Sequence, residues 1–154
     1  MKKVFFFSLA IMATACLNVF AYSINSYNGL RHAILDGQQL VILLDFQKIT
    51  KQQSGWHLGY FIPNSMMIVP GTGSIPRHVV TSQLHFTDRS GVPTYEYVKY
   101  TFYDNDSVKV EITFYDAKTF TPLESPHALH CSFGQGIKVK TVSEGTPTYH
   151  ERDG

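Results

Sequence analysis

The feature that most constrains the fold of this chain is a pair of alternating segments, 95–103 and 108–115, with a short polar stretch between them. Every second residue is apolar in both segments, which is the period of a β-strand with one buried face. The intervening Asp104-Asn105-Asp106-Ser107 is a cluster of turn-forming residues. The sequence therefore predicts an antiparallel hairpin.

The register of this hairpin follows from its side chains. Opposed residues share a face, so the two apolar sets match only when paired residue numbers sum to an even value. A three-residue loop at 104–106 gives that match and sets Lys99 opposite Glu111, an attractive pair on the polar face. Asn105 or Asp106 is then expected to take the left-handed conformation. The predicted apolar pairs are Phe102–Val108, Tyr100–Val110 and Val98–Ile112.

One helix precedes the strands. Ser26 can cap it, and apolar residues recur at three- and four-residue spacing: Tyr27, Leu30, Ala33 and Ile34. Gly37 suits the left-handed position that ends a helix. In residues 40–46, the odd-numbered and the even-numbered positions are both mainly apolar, which predicts a central strand covered on two faces.

The rest of the chain predicts short strands. In segment 80–86, Val80, Leu84 and Phe86 are expected to form the apolar face, and 70–76 is expected to be a flexible excursion. Further strands are predicted at 57–62 and 66–69, and a last pair at 128–133 and 137–141 across Gly134-Gln135-Gly136. This order predicts a β-rich α+β domain, with an N-terminal helix packed on an antiparallel β-meander sheet.

The first twenty-one residues have the three parts of a secretory signal peptide. Lys2 and Lys3 form a basic start, Val4 to Ala15 is almost entirely apolar, and Val19-Phe20-Ala21 resembles a cleavage site. The apolar run is shorter than the roughly 20 residues that span a bilayer. We therefore expect a signal peptide at 1–21, one domain at 22–142, a polar tail at 143–154, and export to the periplasm or the extracellular space. An uncleaved anchor and lipidation at Cys16 are the alternatives.

Composition limits the class of protein. With 154 residues, 44% hydrophobic and 16% charged, the chain can bury one core and does not have the composition of a disordered protein. A formal charge of +1 argues against a nucleic-acid partner. Removal of the leader also removes Cys16, so the mature domain keeps Cys131 alone and forms no intramolecular disulfide.

Several segments in order resemble the VirK family of small exported proteins of Gram-negative bacteria. The likeness covers about residues 24–140 and rests on the helix before Gly37, Leu43 to Lys48, Gln53 to Tyr60, Leu84 to Thr87, Asp88 to Val92, and His130 to Gly136. Family members usually carry a Cys where this chain has Ile49, so a disulfide from that position to Cys131 would be lost. The resemblance implies export and host interaction, and no established catalytic activity.

Candidate catalytic and metal sites are weak in this sequence. On a strand, Cys131 shares its face with Leu129 and Phe133, whereas His130 points to the other face and His127 lies about 13 Å away. This spacing favours a core thiol over a Cys–His pair. A metal site would need His78, His85, His127 and His130, and their spacing fits no metal motif. Asp104, Asp106 and Asp116 are better explained as turn residues than as Ca²⁺ ligands, and Gly71-Thr72-Gly73 as a loop. We expect no catalytic residue, no metal and no cofactor.

What remains is a binding surface on the polar face of the hairpin. It carries Tyr95, Tyr97, Tyr103 and Tyr115, and exposed tyrosines are favoured in recognition surfaces. The sequence therefore predicts a non-enzymatic binding protein with a protein or glycan partner, no nucleic acid and no membrane span after the leader is removed. A hydrolase using Cys131 or a histidine cluster, and a structural envelope protein, are the alternatives.

Overall fold

The computed structural model describes residues 22–50 and 58–142. The predicted leader at 1–21 and the polar tail at 143–154 lie outside these ranges and stay predictions. The described strands are β1 (Ser23–Ile24), β2 (Gln39–Asp45), β3 (Leu58–Phe61), β4 (Ser65–Val69), β5 (His78–Arg89), β6 (Val92–Tyr103), β7 (Ser107–Asp116), β8 (His127–Phe133) and β9 (Gly136–Val142), and the helices are α1 (Tyr27–Leu35) and α2 (Phe46–Thr50). The fold is therefore mostly β, as expected.

Helix α1 begins and ends where its sequence indicates. The Ser26 side chain accepts a 3.2 Å hydrogen bond from the N–H of Gly29, which satisfies one of the free donors of the first turn. Gly37 follows the helix with φ +69°, the conformation that glycine adopts most easily. Tyr27, Leu30 and Ala33 are buried in the same core as the strands, so the predicted apolar face is confirmed.

The β6–β7 hairpin has the predicted register. Phe102 pairs with Val108 and Lys99 with Glu111. The loop is 104–106, and Asp106 takes the left-handed conformation with φ +64°. The alternation of apolar and polar side chains thus sets the register of β6 and β7, because a one-residue shift would expose the apolar face of one strand.

The predicted apolar face of β5 is wrong. Val79 and Thr81 are buried, whereas Leu84 and Phe86 are exposed. The cause is the turn before β6: Ser90 and Gly91 both have positive φ and form a two-residue loop, which pairs odd-numbered residues of one strand with even-numbered residues of the other. Since the core face of β6 is even-numbered, the core face of β5 must be odd-numbered.

Strand β2 is not the central strand that its composition suggests. It lies beside β3, and Phe46 starts the short helix α2 instead of extending the strand. Leu40, Ile42 and Leu44 are buried, while Val41 and Leu43 on the other face are only half-buried. The prediction of a strand covered on both faces was wrong, because the half-buried outer face of β2 also carries aliphatic side chains.

The sheet is mixed, so the predicted antiparallel meander is wrong in part. Strands β4 to β8 are consecutive antiparallel neighbours, but the order along the sheet is β3-β2-β9-β8-β7-β6-β5-β4, and β1 also pairs with β9. Strands β8 and β9 do not form the predicted hairpin. They pair in parallel at Ser132–Gly136 and Phe133–Ile137 alone, and β9 then runs antiparallel to β2. The expected flexible excursion at 70–76 contains a tight bridge between Thr72 and Ile75.

The sheet curls until its two ends approach each other. Strands β3 and β4 lie at opposite ends of the strand order, yet only residues 62–64 separate them in the chain. Phe61 of β3 packs against Tyr100 and His85, with ring centroids 6.1 and 6.4 Å apart. Asn64 accepts a 2.9 Å hydrogen bond from the N–H of Leu84. The curl separates an inner face, which holds the core, from an outer face.

Candidate functional site

An aromatic surface covers the outer face of three neighbouring strands. Tyr95 of β6 lies between Phe86 of β5 and Tyr115 of β7 in the ladder. Phe86 meets Tyr95 edge to face at 5.6 Å, and it is 62% exposed. One residue pair further on, Tyr97 lies opposite Leu84. We define the aromatic surface as Leu84, Phe86, Tyr95, Tyr97, Tyr115 and Phe120.

Phe120 completes this surface from the loop after β7. Its ring stacks on Tyr115 at 4.8 Å with 7° between the ring planes, and the side chain stays 55% exposed. The backbone of Phe120 has φ +55°, which is unfavourable for a bulky residue. Asp116 holds the loop, since its Oδ1 accepts hydrogen bonds from the N–H groups of Lys118 and Thr119. The loop is thus anchored in a conformation that displays an aromatic ring.

The structure brings together three of the four predicted tyrosines. Tyr95, Tyr97 and Tyr115 belong to the aromatic surface, whereas Tyr103 lies eight residues from Tyr95, about 26 Å along the strand. The Tyr103 ring contacts His78, 5.9 Å away. Lys99 and Glu111 lie between the two regions, with Nζ and Oε2 2.6 Å apart. Tyr103 therefore lies outside the aromatic surface.

Sequence reasoning missed Leu84, Phe86 and Phe120. The Ser90-Gly91 turn could have identified the first two, because a two-residue loop assigns Phe86 to the same face as Tyr95. Nothing in the sequence pattern marks Phe120, whose ring reaches Tyr115 only through the fold of its loop.

The inner face of β5 and β6 carries an unexpected row of polar side chains. Thr81 lies opposite Tyr100 and His85 opposite Glu96, with Gln83 between them on β5. Thr81 and Tyr100 are 1% and 0% exposed. We define the inner polar row as Thr81, Gln83, His85, Glu96 and Tyr100.

The charged part of this row is the His85–Glu96 pair. His85 Nε2 lies 3.1 Å from Glu96 Oε2, and the Glu96 side chain is only 9% exposed. Burial raises the pKa of Glu96, while His85 and the charge of Arg89 oppose that change. Burial, followed by the nearby Glu96 and Cys131, raises the pKa of the Tyr100 hydroxyl. The phenol therefore stays protonated and can donate a hydrogen bond.

Cys131 lies on the inner face of β8 with Leu129 and Phe133, as its parity predicts. Burial raises the pKa of its thiol to about 11, so very little thiolate exists near neutral pH. His130 is exposed and lies opposite Lys109, and His127 Nε2 lies 3.0 Å from Glu124. Neither histidine contacts the thiol in a way that would activate it.

The other candidate ligands are also dispersed. His78 belongs to β5 instead of a flexible loop, and its Nδ1 lies 2.8 Å from the carbonyl of Pro76. Asp106 accepts a hydrogen bond from the helix N-terminus, and Asp116 organises its own loop. Within residues 22–50 and 58–142, no three His, Cys, Asp or Glu side chains gather as metal ligands.

Two cavities border the described strands. One, of about 260 Å³, adjoins the inner face and is lined by Phe46, Thr50, Arg89, Ile112, Phe114, His127 and Leu129. Arg89 lies over the Phe114 ring, 4.3 Å from its centroid, and also pairs with Glu124. The other, of about 200 Å³, lies on the outer face of β2 and β9 beside Lys48, Lys138 and Lys140.

No helix in the described part of the chain is long and apolar enough to cross a membrane.

The sequence comparison and the structure comparison match this chain to the same family. The family model of the VirK protein matches residues 23–120. The crystal structure of a VirK family protein from Legionella pneumophila has a TM-score of 0.64 and 22% sequence identity to this chain, and the match covers 76% of this chain and 97% of that one. No curated protein matches. The structural likeness shows a shared fold, and the family model spans more than half of the sequence. This chain belongs to the VirK family.

Proposed function

We propose that this VirK protein is exported and acts by binding a protein partner through its aromatic surface, without catalysing a reaction. VirK membership suggests a virulence-associated protein. The observation that carries the binding proposal is the continuous contact of Phe86, Tyr95, Tyr115 and Phe120 on the outer face.

The composition of this surface suits a protein partner. Aromatic side chains are enriched at the centre of protein interfaces because they bury a large area with few rotatable bonds. The aliphatic Leu84, 42% exposed, extends the apolar area. The ion pair at its border, Lys99–Glu111, resembles the polar rim of an interface.

The Phe120 backbone supports the same proposal. A bulky residue with positive φ costs about 1–2 kcal/mol, and such strain persists where the surrounding structure enforces it. A more favourable conformation or residue at this exposed position would serve folding better. Display of the ring to a partner accounts for the strained position.

The experiment is site-specific crosslinking of the exported protein. A benzophenone residue at position 86 is expected to crosslink a defined protein, whereas the same residue at Lys138, on the outer face of β9, gives no such product. Tyr115→Ala and Phe120→Ala should abolish the product, and Tyr103→Ala, on the same strand face but outside the surface, should keep it. Equal crosslinking from position 138, or an undiminished product with Tyr115→Ala, would contradict the proposal.

A glycan partner is a distinct outcome of this design. It would give no protein product from position 86 but saturable binding on a glycan array that Tyr115→Ala abolishes. That result would show that the aromatic surface binds a glycan instead of a protein.

Export is tested separately by intact-mass spectrometry of the protein recovered outside the cytoplasm. We expect a chain that begins at Tyr22, because Ala21 ends the predicted leader. A chain outside the cytoplasm that still carries Met1 would contradict cleavage.

A further inference from the structure

The inner polar row has hydrogen-bonding atoms that no described residue satisfies. The hydroxyls of Thr81 and Tyr100, Oε1 of Gln83 and Nδ1 of His85 are buried and form no hydrogen bond within residues 22–50 and 58–142. Buried polar groups in proteins nearly always have partners. Four such atoms from neighbouring positions of two strands therefore indicate a partner other than the described residues.

The exposure of this row changes along the strands. The His85 side chain is 33% exposed and Glu96 only 9%, and Tyr100 at the far end is completely buried. The row thus leads from solvent into the interior. Phe61, half-buried, packs on His85 and Tyr100 along this path.

An apolar cavity adjoins the same inner face. Its wall includes Ile112 and Phe114 of β7 and Leu129 of β8. Phe114 is the ladder partner of Glu96, so the Glu96 end of the polar row lies beside the cavity wall, with Cβ atoms about 5 Å apart. Arg89 lies over Phe114, and its charge also acts on Glu96. Beside the cavity, the inner face is therefore polar at His85 and Glu96 and apolar at Ile112, Phe114 and Leu129.

We propose that this inner face binds a small neutral amphiphile, with its apolar part in the cavity and a hydroxyl group on the inner polar row. A hydroxyl donates to Gln83 Oε1 and accepts from Tyr100, so one group matches both kinds of unsatisfied atom. The volume of about 260 Å³ exceeds the roughly 150 Å³ of an apolar cavity that binds benzene, so it admits one aromatic ring or a short alkyl chain. This site is separate from the aromatic surface on the outer face.

The test compares two ligands that differ by one hydroxyl. 2-Phenylethanol and ethylbenzene are titrated into the full exported protein while backbone amide NMR signals are followed. We expect saturable shifts at β5–β7 with 2-phenylethanol and at least about tenfold weaker binding of ethylbenzene, the effect of one buried hydrogen bond. Equal affinity for the two ligands, or no saturable shift with either, would overturn the proposal.

Variants separate the site from general effects on the fold. Tyr100→Phe should bring the ratio of the affinities for 2-phenylethanol and ethylbenzene close to one. Tyr103→Phe, on the outer face of the same strand, should leave this ratio unchanged. Ile112→Trp should block both ligands by filling the cavity. An unchanged affinity ratio in Tyr100→Phe would show that the Tyr100 hydroxyl does not contact the ligand, and would contradict the proposal. Phe120→Ala should affect neither ligand, so failure here is distinguishable from failure of the proposed function.

Discussion

Asp106 accepts a 2.7 Å hydrogen bond from the backbone N–H of Tyr27, a residue 79 positions earlier in the chain. The bond joins the turn between β6 and β7 to the N-terminus of α1, where free N–H groups favour a negative charge. Asp106 thus has two tasks, because it also takes the left-handed conformation that closes the three-residue loop.

The two tasks of Asp106 can be separated by substitution. Asp106→Asn keeps a residue that tolerates positive φ and removes the negative charge, so we expect a loss of about 0.3–1 kcal/mol in the free energy of unfolding, the range for a charge at a helix end. Urea denaturation measures it. Asp104→Asn, in the same loop and beside the exposed Arg77, should cost less. Equal losses would show that the cap contributes nothing.

Two glycines with the same backbone conformation differ in their surroundings. Gly91 and Gly136 have φ +82° and +81°, but a Cβ at Gly136 would overlap Ile49, whereas one at Gly91 meets nothing within 4 Å. We expect Gly91→Ala to cost about 1–2 kcal/mol from conformation alone. Gly136→Ala should cost about 1–3 kcal/mol more because of overpacking. Similar unfolding midpoints for the two variants would refute the packing argument.

Glu96 should give stability an unusual pH dependence. Burial raises its pKa above the ordinary value of 4.5 in the folded state, so the unfolded chain loses this proton first as pH rises. Its contribution is fully present below pH 4.5 and is lost as pH rises through the folded pKa. Urea denaturation between pH 4 and 8 should therefore show wild type losing stability relative to Glu96→Gln.

Glu124 is the matched control for Glu96. Arg89 and His127 lower the pKa of Glu124, so its contribution is present at higher pH and is lost as pH falls. Glu124→Gln should change the pH profile in the opposite direction. The same slope for both variants would rule out burial as the cause of the Glu96 effect.

The Lys99–Glu111 pair on the outer face should contribute little. Both side chains are partly exposed, 37% and 25%, so water and salt weaken their attraction. Lys109 also contacts Glu111, at 2.8 Å. A double-mutant cycle of Lys99→Ala and Glu111→Ala should give a coupling energy of about 0.2–1 kcal/mol that decreases in 1 M NaCl. A salt-independent coupling would point to packing instead of charge.

Cys131 tests the alternative of a thiol-dependent hydrolase. A thiol pKa near 11 instead of the ordinary 9.0 lowers the thiolate fraction at pH 8 by about 100-fold. Iodoacetamide should therefore label the native protein at least about 100-fold more slowly than it labels the chain in urea, where the ordinary pKa returns. Rapid native labelling would favour the hydrolase.

Local patterns in the sequence determined the helix, its ends and the β6–β7 register. Ser26 and Gly37 act through bonds and angles within a few residues, and the alternation of β6 and β7 admits one register because only that register buries both apolar sets. The placement of Cys131 on the inner face follows from the same parity. These features depend on neighbours in the chain, so the sequence alone was sufficient.

The Ser90-Gly91 turn is also a local feature, and it set the faces of β5: Thr81 is buried, His85 lies on the inner face and Phe86 is exposed. Tertiary structure decided the rest. The insertion of β9 between β8 and β2, and the curl that brings Phe61 onto Tyr100, depend on pairings between distant segments. Both candidate sites arise there, because each combines strands whose neighbours are set by the closure of the whole sheet and not by any local pattern.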